Sequence, residues 1–311
     1  MSDTAAPAST APPNSTRAAI LIPFGIVTLI WGSTWLVIRD QLAVVPPSWS
    51  VTYRFAVAGV AMVIWAVIRR DSFRLGARGY GFAAAIAISQ FCFNFNFVYR
   101  AEKYITSGLV AVIFALLLVP NAAFARVFLG QRMGRQLLVG SAVAMAGVAL
   151  LFLHEARSDP HGVSASLSGI AWTLAAVLSA SSANVLQATD TAKRYPMGST
   201  LAIAMVMGAL LDGAVAWLLT GPPMIEPRFG YIAGVVYLGL FASAIAFPLY
   251  FNVIRVIGPA KAAYSSVIVP VIAMLLSTLF EGYRWSLLAG AGAVLAGVGL
   301  IIALRARRPS R

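Results

Sequence analysis

PNAAFARVFLGQRMGRQLLVGSAVAMAGVAL, residues 120–150, recurs in altered form as PVIAMLLSTLFEGYRWSLLAGAGAVLAGVGL, residues 270–300. Ten positions match without a gap at an offset of 150 residues. In the first copy they are Pro120, Ala123, Leu129, Leu137, Leu138, Gly140, Ala146, Gly147, Val148 and Leu150. A repeat of so long a period in an apolar chain indicates a duplicated membrane half, not a short solenoid repeat.

The composition is that of an integral membrane protein. Of 311 residues, 60% are hydrophobic and 11% are charged, and the mean hydropathy is +0.84. An ordinary water-soluble domain does not need so much apolar material for its core. The net charge of +13 does not indicate a nucleic-acid partner, because the basic residues stand singly or in short groups between long uncharged runs.

Charged residues divide the chain into runs of roughly 20 apolar residues, the length that spans a bilayer as a helix. The ten predicted spans are 18–38, 48–68, 79–99, 104–125, 136–153, 169–189, 196–219, 229–254, 262–280 and 285–304. We therefore predict an all-α membrane protein with two five-helix repeats, 17–155 and 156–305. A disordered cytoplasmic tail, 1–16, and a basic cytoplasmic tail, 306–311, are expected to flank them.

The basic residues also predict an orientation. Sixteen Lys and Arg residues fall on one side of the predicted membrane, six fall on the other, and Arg54 lies within a span. The positive-inside rule then predicts that both termini lie on the cytoplasmic side of a bacterial inner membrane. Because each half has an odd number of spans, the second half enters from the opposite side, and the two five-helix repeats are inverted.

The third span contains one pattern that competes with this assignment. Phe91, Phe93, Phe95, Phe97 and Tyr99 alternate with period two, as in a strand. A lone strand in lipid would leave its backbone unpaired, so we predict a helix that carries Phe91, Phe95 and Tyr99 on one face.

A family resemblance rests on the first two spans and on the repeat. The run Trp31-Gly32-Ser33-Thr34-Trp35, followed by Pro47 and Arg54, resembles the ten-helix EamA-type branch of the drug/metabolite transporter superfamily. Within that branch the chain looks most like the YddG-type aromatic amino-acid exporters, although no single motif separates them from other exporters. The resemblance implies alternating-access export of small metabolites.

Aromatic and polar residues within the spans are the candidate substrate-binding groups. Trp31 and Trp35 share a helix face and could stack on a flat substrate, or instead pack against neighbouring helices or lie at the membrane interface. The polar groups could line a cavity or form hydrogen bonds between helices. The substrate-binding candidates are Trp31, Trp35, Asn94, Tyr99, Ser181, Asn184, Tyr250 and Tyr264.

Proline and glycine recur in both halves. Pro120 and Pro270 each free a carbonyl in the preceding turn, which could serve gating or substrate binding, or simply bend the helix for packing. Gly140 with Gly147, and Gly290 with Gly297, place small residues on one face of the fifth and tenth spans. We interpret these four glycines as packing residues.

Asp212 is the only acidic residue predicted well inside a span. It is the candidate for proton coupling, and the alternative is a structural role in which it pairs with Arg54. The other nine acidic residues fall in tails, in loops or at span ends. We therefore expect facilitated or exchange transport, with proton-coupled antiport as the alternative.

Other classes of membrane protein fit the sequence less well. His154 and His161, the only histidines, fall in one loop, and no second buried Asp accompanies Asp212, so an intramembrane protease is disfavoured. No cluster of His, Cys or carboxylates predicts a metal or another cofactor. A channel is the alternative that is harder to exclude, although the sequence shows no ring of charges and no repeated filter sequence. The expected partners are a small-molecule substrate and the lipid bilayer, and a monomer is plausible.

Overall fold

The computed structural model describes residues 14–131, 134–158, 163–263 and 265–304, and these segments are helical with short connections. We label ten helices α1 to α10. They are α1 Asn14–Gln41, α2 Pro47–Ile68, α3 Gly76–Ala101, α4 Ser107–Leu129, α5 Arg135–Ser158, α6 Val163–Gln187, α7 Met197–Thr220, α8 Phe229–Ile257, α9 Ser265–Phe280 and α10 Leu287–Leu304. Short helices Asp190–Lys193 and Pro259–Ala262 lie between them. Tyr264 and residues 306–311 lie outside the described residues, and α1 begins within the stretch expected to be a tail.

Ten helices and the membrane assignment agree with the sequence prediction. Seven of the described helices are long and apolar enough to cross a membrane. Shorter apolar segments in α5, α9 and α10 complete the ten. Leu218 and Leu287 are 83% and 96% exposed, and such large apolar side chains belong against lipid and not against water.

Proline and glycine set several helix ends. Pro47 is the first residue of α2, where its missing N–H leaves no helical bond unmade. Gly221 ends α7 with φ 82°, and Gly258 ends the α8 helix with φ 84°. Such positive φ values favour glycine because it has no Cβ.

The contact between α5 and α10 shows that the halves are inverted. A Cβ at Gly140 would lie 2.6 Å from the carbonyl oxygen of Gly299, and a Cβ at Gly147 would lie 2.6 Å from that of Gly292. Residue numbers rise along one helix as they fall along the other, so these equivalent helices are antiparallel. The same holds for α2 and α7, where Gly59 meets Val206 and Gly198 meets Trp65.

This contact also corrects the register of the repeat. Gly140 and Gly292 make equivalent contacts in the two halves, and so do Gly147 and Gly299. The equivalent residues are therefore 152 positions apart (292 − 140 and 299 − 147), in place of the 150 matched in sequence. Gly290 and Gly297 were predicted to pack, but a Cβ on either would meet nothing within 4 Å. The prediction was therefore right for the first glycine pair and wrong for the second.

The remaining helices pack with the same two-fold pattern. Helix α1 of the first half packs against α8 and α9 of the second, and α6 packs in the same way against α3 and α4. The first helix of each half thus lies among helices of the other half. The interior between the halves is aromatic, with the ring centroids of Phe91 and Phe247 5.3 Å apart and those of Phe55 and Phe95 5.0 Å apart.

Candidate functional site

A cavity of about 100 Å³ lies between the two halves. One buried water needs roughly 10–15 Å³, so the cavity has room for several waters or a small molecule. The cavity wall comes from α1, α2, α3, α4, α6, α8 and α9. Its polar residues are Thr34, Arg54, Gln90, Asn94 and Asn184, and its aromatic residues are Trp31, Trp35, Phe95, Phe114, Phe247 and Tyr250.

Two π-helical segments, one in each half, lie in helices that line this cavity. They are Ala87–Asn94 in α3 and Leu240–Ile245 in α8. A π segment widens the helix and interrupts the regular bond pattern, and such segments are frequent at functional sites. The first carries the cavity residues Gln90 and Asn94, and the second ends two residues before the cavity residue Phe247.

The carbonyls of both π segments accept side-chain hydrogen bonds from the opposite half. Trp31 Nε1 of α1 donates to the Ala242 carbonyl at 3.1 Å. Ser179 Oγ of α6 donates to the Ser89 carbonyl at 2.8 Å. The first helix of each half is thus bonded to the π segment of the other half, which fixes the position of the cavity walls relative to each other.

The indole rings line the cavity in an aromatic cluster. The Trp31 centroid lies 4.8 Å from that of Tyr250, edge to face, and 5.4 Å from that of Phe247. Trp35 lies 5.5 Å from Phe114, and its buried Nε1 has no hydrogen-bond partner among the described residues. The wall therefore offers flat apolar surface.

Arg54 is the main charged group at the cavity, and it is 1% exposed. Its Nε donates to Ser243 Oγ at 3.0 Å, and its guanidinium carbon lies 4.1 Å from the Phe95 ring centroid. Nη1 has no hydrogen-bond partner among the described residues. From the sequence, Arg54 was interpreted as a structural partner of Asp212, and its position in the cavity wall was missed. The available signal was a charged residue inside a membrane span.

Asp212 is buried elsewhere, in a hydrogen-bonded group between helices. Asn96 Nδ2 donates to Asp212 Oδ1 at 2.7 Å, and Ser48 Oγ donates to Asn96 Oδ1 at 2.6 Å. The pairing of Asp212 with Arg54 is not formed, since Arg54 is bonded to Ser243 instead. Asp212 is not part of the cavity wall.

The predicted site residues divide into two groups. Five of the eight substrate-binding candidates reach the wall, namely Trp31, Trp35, Asn94, Asn184 and Tyr250. Tyr99 is buried and donates to Gln41 Oε1 at 2.9 Å, and Ser181 donates to Asn121 Oδ1 at 2.8 Å, so both make contacts between helices away from the wall. Tyr264 lies outside the described residues. Substrate binding by any of them stays a prediction.

The two prolines differ in position. Pro270 lines the cavity, whereas Pro120 does not. Before Pro120, however, the helix tightens into a 3₁₀ segment, Ala115–Leu117, and both end residues of that segment line the cavity. This is the local distortion that a helical proline is expected to cause.

Glu102 is a buried carboxyl that sequence reasoning missed, because it directly follows a span and was counted among the residues at span ends. It is 0% exposed, and neither carboxyl oxygen has a partner among the described residues. Arg39 Nη1 donates to its backbone carbonyl. Burial and the nearby Glu281 raise the pKa of Glu102 well above its usual value, while Arg39 and Arg54 act against that shift.

Comparison with known proteins points to one family. Residues 19–153 and 167–305 each match the family model described as the EamA-like transporter family. Protein PagO of Salmonella typhimurium is 27% identical over 87% of this chain and 88% of its own length. The uncharacterized inner membrane transporter YedA of Escherichia coli K12 is 29% identical over 82% of this chain and 80% of its own length.

Two further matches agree with the fold. The uncharacterized transporter YvbV of Bacillus subtilis is 25% identical over 92% of each chain. One crystal structure matches with a TM-score of 0.66 and 18% identity over 92% of this chain and 96% of the other, which shows a shared fold. None of these matches tests the closer resemblance to aromatic amino-acid exporters, which stays a prediction.

Proposed function

This chain belongs to the EamA-like transporter family, and we propose that it exports small metabolites, specifically aromatic and other neutral amino acids, by alternating access. The supporting observation is the cavity between the inverted halves, whose wall combines indole and phenyl rings with amide groups. In inverted-repeat transporters, substrate sites lie at the repeat interface near the middle of the membrane.

The wall suits an amino acid in its zwitterionic form. Trp31 and Tyr250 offer ring faces and edges for an apolar or aromatic side chain. Asn94 Oδ1 is buried without a partner and is an acceptor for an ammonium group. Most of the other lining residues are apolar, as is usual for small-molecule sites with a few placed polar groups.

The direct test is transport by the purified protein in liposomes. We expect labelled phenylalanine or leucine to accumulate with saturation and to show counterflow when unlabelled substrate is loaded on the opposite side. Flux that rises linearly with concentration, without counterflow, would indicate a channel. A chemically altered product would indicate an enzyme.

We propose facilitated or exchange transport, because the cavity wall contains no acidic residue among those described. Proton-coupled antiport is the second candidate, favoured by the buried Glu102 and its neighbour Glu281. Glu281 also lines an open cleft of about 630 Å³ at that end of the molecule. Substrate movement without an imposed pH difference supports the first candidate, and strict dependence on a proton gradient supports the second.

We further propose that the chain is a multi-pass inner-membrane protein with cytoplasmic termini. The supporting observations are the sixteen-to-six distribution of basic residues and the relative that is named an inner membrane transporter. Ser72→Cys and Ser158→Cys, each placed in a background without Cys92, report on opposite sides of the membrane. In intact cells an impermeant thiol reagent should label position 158 and not position 72, and the reverse pattern would overturn the orientation.

A further inference from the structure

Arg54 is a buried cation that forms no ion pair among the described residues, and the nearby buried carboxyl of Glu102 acts on it only at longer range. The adjacent ring of Phe95 and the hydroxyl of Ser243 are neutral. Removing a guanidinium from water costs several kcal/mol unless a partner of opposite charge and hydrogen-bonding geometry compensates. An anion in direct contact with Arg54 at the cavity wall would therefore compensate this cost better than the neutral groups that now surround it.

The guanidinium is also held in a fixed place. Its Nε is bonded to Ser243 Oγ, and Trp31 Nε1 is bonded to the carbonyl of the adjacent residue, Ala242. One π segment of α8 thus anchors both the cation and the indole. Arg54 and Trp31 both line the cavity, so a single small molecule there lies beside a positive charge and an aromatic ring. Nη1 is buried without a hydrogen-bond partner among the described residues.

We propose that Arg54 binds the carboxylate of the transported molecule and so restricts transport to metabolites that carry one. This inference rests on the proposed transport function and adds the group that recognises the substrate. A planar guanidinium matches a carboxylate with two parallel N–H···O bonds, which neither an ammonium nor a neutral amide group can reproduce. One of the two bonds would come from Nη1.

The test compares ligands that share a phenyl ring and differ in whether they carry a carboxylate and an amino group. Phenylalanine, 3-phenylpropanoate, phenylalaninamide and phenethylamine are titrated against the purified protein, and binding is read from the shift in thermal unfolding. We expect the wild type to bind the two carboxylates and to bind the amide and the amine at least about tenfold more weakly, because they lack the charged acceptor for the guanidinium. Equal binding of phenylalanine and phenethylamine would overturn the proposal.

The variant Arg54→Gln removes the charge, and Arg255→Gln is the matched control. Arg255 is a second arginine of the transmembrane helices that is bonded to Gln187 and lies outside the cavity wall. We expect Arg54→Gln to lose the preference for carboxylates over the amine, and Arg255→Gln to keep it. A merely structural arginine would lower the unfolding temperature and leave the preference intact, and that result would overturn the proposal.

If Arg54→Gln does not fold, Arg54→Lys decides the matter. Lysine keeps the charge but not the fork of donors, so we expect the preference for carboxylates to fall severalfold, and an unchanged preference would contradict the proposal.

Failure of the proposed function gives a different result. If no amino acid binds but pyruvate or succinate does so through Arg54, this inference stands and amino-acid export is wrong. If amino acids are transported equally by Arg54→Gln, only this inference fails.

Discussion

Helices α5 and α10 are equivalent in the two halves, and so are α3 and α8. The first pair packs tightly, whereas the second pair lines a cavity. In the first, glycines bring two backbones together until no space is left. In the second, π segments interrupt the regular helices, Asn94 Oδ1 is buried without a partner, and both helices line a cavity. The same inverted symmetry therefore produces a rigid contact in one place and a candidate binding site in another, depending on which side chains meet at the interface.

The largest effect is expected where the backbones touch. A Cβ at Gly140 would lie 2.2 Å from the backbone nitrogen of Ala303, and backbone cannot move aside as a flexible side chain can. We expect Gly140→Ala to destabilise the protein by about 1–3 kcal/mol, as overpacking typically does. Thermal unfolding of the purified protein and the fraction that elutes as a single species measure this effect.

Gly290→Ala is the matched control, because a Cβ there meets nothing within 4 Å. It should be neutral or slightly stabilising, since alanine is the better helix former. Equal stability of the two variants would show that α5 and α10 do not pack as described.

A second comparison separates cavity from packing within α3. Asn94 lines the cavity with an unpaired Oδ1, whereas Asn96 is bonded to both Ser48 and Asp212. We expect Asn94→Leu to reduce flux about tenfold, the effect of one lost polar contact of roughly 1.4 kcal/mol, with little change in unfolding temperature. Asn96→Leu should instead destabilise by about 1–3 kcal/mol, because it leaves buried polar groups unsatisfied.

Flux in liposomes and thermal unfolding, measured on both variants, check this prediction. If Asn94→Leu loses stability while keeping flux, the two asparagines have been assigned to the wrong roles.

Glu102 should give a smaller effect that depends on pH. Its raised pKa means that burial favours the protonated form, so its contribution to stability is present at low pH and is lost as pH rises through the folded-state pKa. Unfolding temperatures from pH 4 to pH 8 should therefore fall more steeply for the wild type than for Glu102→Gln. Asp190→Asn, which alters an exposed carboxyl, is the control. Parallel curves for wild type and Glu102→Gln would contradict the burial of Glu102.

The smallest effect is expected at Asp212. Asparagine keeps an Oδ1 that can accept the bond from Asn96 and removes the titration, and the residue lies outside the cavity wall. We expect Asp212→Asn to keep flux within about twofold of the wild type, as for a residue outside the transport path. Transport that requires a proton gradient and vanishes in this variant would make Asp212 the coupling site.

Much of the architecture could be predicted from sequence. The helices were identified from the charges at span ends, from Pro47 before α2 and from the repeated Pro and Gly positions. A helix was also correctly predicted for the alternating Phe residues of α3.

The site was predicted only in part. Trp31 and Asn94 reach the cavity, but Tyr99 and Ser181 bond to neighbouring helices, and the exposure of Arg54 and Glu102 could not be predicted from their distance to a span end.

The physical reason is that the membrane spans depend on local sequence, whereas the cavity depends on packing between distant helices. By itself the sequence determined that the chain crosses the membrane as ten helices in two inverted halves, because each span must satisfy its own backbone within lipid and its charges must stay near its ends. Only the tertiary structure decided the rotation of each helix, the 152-residue register and the π segments of α3 and α8. These depend on close packing against the other half, since one residue of helical phase turns a side chain by about 100° and moves it into or out of the cavity.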